Sequence, residues 1–114
     1  MALTIEEIDA YNTQGFVLVK DVLSPSDTKP VIDELEAFID GQARELYDQE
    51  KITDLCSDAP FDVRYGLLLK QCAEIGKGMD IMHMRSSAMF TFLGNPNFLD
   101  AVESLVGPEI TCNP

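Results

Sequence analysis

The sequence predicts a mainly α-helical fold with one or two short strands. Three observations carry this. Helix-start signals stand at Thr4, at Ser24-Pro25 and at Asn95-Pro96. Glycines that suit helix ends stand at Gly15 and Gly107. Between them apolar residues recur at helical spacing, while β-branched and aromatic runs are confined to Phe16–Val19 and the residues around Ile110.

The elements follow in chain order. Thr4 and Glu7 form a capping box, with Leu3 and Ile8 placed as a hydrophobic staple, and Ile5, Ile8 and Tyr11 share one face of the helix that follows. Gly15 ends it in a left-handed cap. Phe16-Val17-Leu18-Val19 is too short for a helix and reads as a buried strand reaching Lys20. Ser24-Pro25 would open the next helix, but Pro30 further in would remove a backbone hydrogen bond. A start near Asp27 places Pro30 in the first turn, where its missing N–H does no harm. Val31, Leu35, Phe38, Ile39, Ala43 and Leu46 then keep helical spacing to about Gln49, with Gly41 a mild interruption. Residues 51–60 are polar and turn-rich. A helix is expected over Asp62–Ile75, with Leu68, Leu69, Cys72 and Ile75 buried, and helix again, in one or two pieces, over Met79–Leu93. Asn95, as cap, and Pro96, at the first helical position, start the last helix. Phe98, Leu99, Val102, Leu105 and Val106 form its stripe, and Gly107-Pro108 stop it.

Composition excludes several classes. The 114 residues are 46% hydrophobic, enough for a packed core. No apolar run approaches the ~20 residues a bilayer span needs. The acidic, amphipathic opening MALTIEEID lacks the basic start and apolar block of a signal peptide. Twenty acidic against eight basic residues give a net charge of -12, which opposes binding to nucleic acid or to an anionic membrane. Cys56, Cys72 and Cys112, odd in number and widely spaced, read as free thiols of a reducing compartment, hence a cytoplasmic protein.

The residues that could carry chemistry are few. His83 is the only histidine, and a redox iron site needs two with a carboxylate; none stands next to it, since Met84 and Arg85 follow. Met79, Met82, His83 and Met84 could offer soft ligands to copper, but methionines also fill irregular packing gaps, and that reading is preferred. A Cys–His pair exists only on paper, with no feature to lower a thiol pKa. Gly76-Lys77-Gly78 lacks the length and context of a phosphate loop. Asp33 and Glu36, opposite the Leu35-Phe38-Ile39 stripe, read as a solvated face. The residues themselves present no active site.

Two stretches resemble a known family. Tyr11-Asn12-Thr13-Gln14-Gly15-Phe16-Val17-Leu18-Val19-Lys20-Asp21-Val22-Leu23-Ser24 is similar to the opening of the phytanoyl-CoA dioxygenase family: a short helix, Gly-Phe, a β run, then a Val-Leu-Ser turn into a long helix. Asn95-Pro96-Asn97-Phe98-Leu99-Asp100-Ala101-Val102-Glu103-Ser104-Leu105-Val106-Gly107-Pro108-Glu109-Ile110 is similar to that family's helix ending in Gly-Pro before the first barrel strand. The two come in the family's order and near its spacing; residues 51–93 match only as a helical region. These are scaffold motifs.

The resemblance implies an Fe(II)- and 2-oxoglutarate-dependent oxygenase on an α+β double-stranded β-helix, cupin-like or jelly-roll in architecture, acting on a small organic substrate. It implies an iron held by His-x-Asp and a distant second histidine, and an arginine anchoring 2-oxoglutarate, all beyond the Gly-Pro helix end. Residues 1–114 are then expected to be the N-terminal helical segment of a larger oxygenase domain, without its catalytic barrel, and no position here inherits a catalytic, metal or cosubstrate role. The segment from Ile110 would begin a core strand, with Thr111 and Asn113 on one face and Ile110 and Cys112 on the other. Either face could meet the substrate cavity; Thr111 and Asn113 are the candidate substrate-binding pair. Apolar stripes lacking their cover would favour self-association. The alternative is a self-contained acidic helical module that binds a partner protein without enzymatic activity. It requires a complete core, a paired Phe16–Lys20 strand and an exposed apolar groove.

Overall fold

A computed structural model describes residues 2–80 and 82–113. It is mainly helical: α1 spans Ile5–Gln14, α2 Pro25–Asp48, α3 Phe61–Gln71, α4 Ser87–Leu93 and α5 Pro96–Val106, with a 3₁₀ turn at Ala73–Gly76 after α3. No strand occurs among the described residues. None of their helices is long and apolar enough to cross a membrane.

The caps form as the sequence demands. Thr4 and Glu7 exchange side-chain to backbone hydrogen bonds at 2.8 and 3.2 Å, and Gly15, at φ 82°, donates its N–H to the Tyr11 carbonyl. The α1 face differs from expectation: Ile8 and Tyr11 are half-buried, but Ile5 is exposed. α2 starts at Pro25, not Asp27. The Ser24 N–H donates to Asp27 Oδ2 at 2.7 Å and the Asp27 N–H to Ser24 Oγ at 3.2 Å, a reciprocal cap that draws the helix start back to Ser24-Pro25. Pro30 consequently lies inside the helix, where it has no N–H for the Ser26 carbonyl.

Two compact units divide the chain: residues 1–29 with 87–114, and residues 30–86. The second unit holds every fully buried apolar residue of the described chain, Ile39, Ala43 and Leu46 from α2, Ile52, Leu68 of α3, and Ile75. Leu55, Phe61, Tyr65, Cys72 and Met79 pack around them. Leu68 and Ile75 are buried as expected, Cys72 partly, while Leu69 is exposed. The helix expected over Asp62–Ile75 breaks at Cys72, whose backbone is extended (φ −154°, ψ 120°), and resumes as the 3₁₀ turn. Leu68 and Ile75, on either side of that break, enter the same core. At Gly76 a side chain would meet the Tyr65 hydroxyl at 2.6 Å, so the glycine permits this close approach. Gln71 ties down the preceding loop, accepting from the Thr53 and Asp54 N–H groups at 3.1 Å each and donating to the Asp54 carbonyl at 2.9 Å.

The helix expected from Met79 does not begin until Ser87 among the described residues. Asp80 accepts the N–H groups of Met82 and His83 on its side chain at 3.0 and 3.1 Å, as a helix cap does, and its carbonyl takes the Met84 N–H at 2.8 Å, but the turn is not continued into a helix. Ile81 lies outside the described residues.

In the first unit α1 packs on α5. The Leu3 N–H donates to Ser104 Oγ at 3.1 Å, and Phe92 stacks on Phe98 with ring centroids 5.4 Å apart. α5 has the cap and stop expected of it: Asn95 Oδ1 accepts from the Phe98 N–H, and Gly107 adopts φ 88°, ψ −179°, open only to glycine at ordinary cost. The buried strand expected at Phe16–Lys20 is not formed. The chain there is irregular, with Val17 and Val19 half-buried, Phe16 66% exposed and Leu18 83% exposed. The alternation is that of a strand, but no second described segment pairs with its backbone, and a ladder needs two. The strand expected from Ile110 is not formed either, and Ile110 to Asn113 are all exposed, without alternation.

Candidate functional site

Among the described residues each unit carries a concave surface that offers a candidate site. In the first unit an apolar groove of about 330 Å³ runs between Val17–Leu23 and the stripe Phe98, Ala101, Val102 and Leu105 of α5, with Leu3 beside them. Every lining side chain is aliphatic or aromatic. The groove exists because the α5 stripe recurs every three to four residues and Val17 and Val19 alternate toward it. It offers no proton donor, nucleophile or charge, so its chemistry is confined to apolar contact.

A polar cluster lies where the two walls of this groove approach their helix starts. Asp27, three residues after the α2 cap, accepts from Asn95 Nδ2 at 2.9 Å and Asn97 Nδ2 at 3.1 Å, besides the Ser24 N–H and Ser24 Oγ at 2.7 and 2.9 Å. The Ser24 backbone N–H, then the Asn95 amide, the Ser24 hydroxyl and the Asn97 amide, hold its carboxyl well below the ordinary value of 3.8. In the sequence Ser24 and Asn95 stand as separate caps. A Ser-x-x-Asp box is legible there; its tie to residues 68 and 70 positions away is not.

In the second unit a pocket of about 390 Å³ is lined by Asp33, Glu36, Asp40, Ser57, Phe61 and Arg64 among others. Its guanidinium is already committed. Arg64 Nη2 reaches Asp40 Oδ1 at 2.8 Å, and Nη2 and Nε both donate to the Leu55 carbonyl, with the Arg64 side chain only 13% exposed. Arg44, then Arg64, lower the Asp40 pKa through hydrogen bonds. Arg64 thus joins α2, α3 and the intervening loop, a structural role. Asp33 and Glu36 are both exposed and remain on the solvent side, as the sequence suggests.

His83 has a carboxylate partner three residues away, where the sequence offers none adjacent. Its Nδ1 lies 2.7 Å from both oxygens of Asp80, and this contact is the leading cause of the lowered Asp80 pKa. The cue is the spacing of one turn rather than adjacency. No group of three or more His, Cys, Asp or Glu side chains capable of holding a metal occurs among the described residues. Met79 packs against the core, in keeping with a packing role, whereas Met82 is exposed. Cys56, Cys72 and Cys112 are free thiols, the first two partly buried and the third exposed. Thr111 and Asn113 are both exposed in the irregular segment after α5, as are Ile110 and Cys112, and none of the four lines the groove.

No protein-family model, curated protein or solved structure gave a match to this chain.

Proposed function

We propose that these residues form the helical scaffold of an Fe(II)/2-oxoglutarate-dependent dioxygenase of the phytanoyl-CoA dioxygenase type, whose parent hydroxylates a small organic substrate, with the iron and 2-oxoglutarate sites outside residues 1–114. The observation that carries the reading is the pair of irregular segments with exposed apolar side chains in the unit that holds the apolar groove. Phe16 and Leu18 turn apolar side chains outward with no described strand beside them, and Ile110 does so after α5. Such segments want a β-sheet as neighbour, because alternate residues and the backbone both gain from pairing. The order of capped helix, left-handed glycine, apolar run, Ser-Pro cap and long helix, with an Asn-Pro helix ending in Gly-Pro, supports the same reading through the family resemblance. Iron and 2-oxoglutarate would be held by residues outside this segment. Thr111 and Asn113 are the proposed substrate-facing pair.

A second reading is favoured by the groove itself: a non-enzymatic helical module that docks a partner protein along it. The unpaired Phe16–Lys20 run counts against that reading, since the module needs it paired. The deciding experiment is expression of the whole natural reading frame, supplied with Fe(II) and 2-oxoglutarate. Succinate formation that the 114-residue chain alone does not support is expected. A reading frame lacking any His-x-Asp, together with a sharp, salt-independent monomer in sedimentation, would overturn the oxygenase and favour the module. Under the oxygenase reading the isolated chain instead self-associates, more so with added salt, as screening weakens repulsion between acidic surfaces.

A further inference from the structure

We propose that Asp27 is a clasp that sets the opening of the apolar groove by joining the starts of its two walls. One wall is Val17–Leu23, which ends four residues before Asp27. The other begins at Phe98, directly after Asn97. The carboxylate is shared between them. Oδ1 accepts from Asn95 Nδ2, and Oδ2 accepts from Asn97 Nδ2 and from the Ser24 N–H and hydroxyl. Asn95 is at the same time the cap of α5, its Oδ1 taking the Phe98 N–H at 3.1 Å. Asp27 therefore orients the side chain that starts α5, while its own N–H and carboxylate complete the start of α2. Two helix N-termini, each carrying partial positive charge, converge on this one anion, which favours its ionised form in this position. A second polar tie between the two terminal parts of the chain, Leu3 N–H to Ser104 Oγ, lies further along α5 and leaves the start of that helix to Asp27. The inference does not depend on whether the parent is an oxygenase.

A cap alone would act only on α2, whereas a clasp acts on α5. This separates the two roles experimentally in the full 114-residue chain. Asp27→Asn replaces one acceptor oxygen by a donor that faces other donors. It is expected to speed hydrogen exchange of the Phe98 and Leu99 amides by roughly tenfold, and to raise binding of an apolar fluorescent dye, while Leu68 and Cys72 amides in the second unit keep their rates. Asn97→Ala removes one tie without touching either cap and is expected to do the same more weakly. Ser24→Ala loses the hydroxyl at the α2 start but keeps both asparagine ties, and is expected to leave Phe98 exchange unchanged. In the double variant of Asp27→Asn with Asn97→Ala, the effect on α5 should not exceed that of Asp27→Asn alone. Equal acceleration in both units, unaltered α5 exchange in Asn97→Ala, or an α5 response to Ser24→Ala as large as that to Asp27→Asn would each overturn the clasp. Should Asp27→Asn fail to fold, Asn97→Ala against Ser24→Ala decides.

Discussion

The two units of this chain solve the problem of burial in different ways. The unit of residues 30–86 closes a core: six side chains are removed from water, and three come from successive turns of one helix. The unit formed by residues 1–29 and 87–114 contains α5, with its regular apolar stripe, yet no described residue of it is fully buried. Phe16, Leu18 and Phe90 face outward, Phe90 at 81% exposure. Hydrophobic burial thus dominates one unit, while capping and polar ties define the other. The contrast teaches that an amphipathic stripe states only that a face wants cover. What covers it depends on what the rest of the fold supplies.

The largest expected effect tests the closed core. Leu68 is fully buried, and Leu68→Ala should destabilise the second unit by about 2–5 kcal/mol, read from denaturant unfolding. The equivalent truncation Leu105→Ala, in the half-buried stripe of the groove, should cost clearly less. Equal losses would mean that the first unit is as tightly packed as the second. Next comes Gly107→Ala. The space around a new Cβ is open, so the cost is the backbone conformation alone, about 1–3 kcal/mol. Its effect should appear at the end of α5 in hydrogen exchange and spare α3.

Acid should distinguish the units further. Because the folded Asp27 carboxyl ionises below its ordinary 3.8, the stabilisation it gives is complete above that pH and is lost as pH falls below it toward the lower folded value. Asp40, Glu74 and Asp80 are lowered in the second unit by Arg44, Lys51 and His83 respectively, so that unit also loosens in acid. In Asp27→Asn, therefore, the acid sensitivity of α5 exchange should flatten while that of α3 remains. The smallest effect is a gain. Gly41 lies within α2, and a Cβ added there would meet nothing within 4 Å, so Gly41→Ala should stabilise by up to about 1 kcal/mol, seen as a raised melting temperature.

Several features were legible in the sequence because their causes are local. The Thr4–Glu7 box, the Gly15 and Gly107 stops and the Asn95-Pro96 start each depend on residues within four positions, and the helical periodicity of Ile39, Ala43 and Leu46 already points to their shared buried face. Tertiary structure decided the rest. Whether Phe16–Val19 becomes a strand depends on a partner backbone, which no local signal can supply. The helix breaks at Cys72, and Leu68 and Ile75 on either side of the break meet in one core. Asp27 finds Asn95 and Asn97 across some seventy positions. Local chemistry writes where helices begin and end; only the closed chain decides which faces meet, because contact between distant residues is a property of the whole path between them.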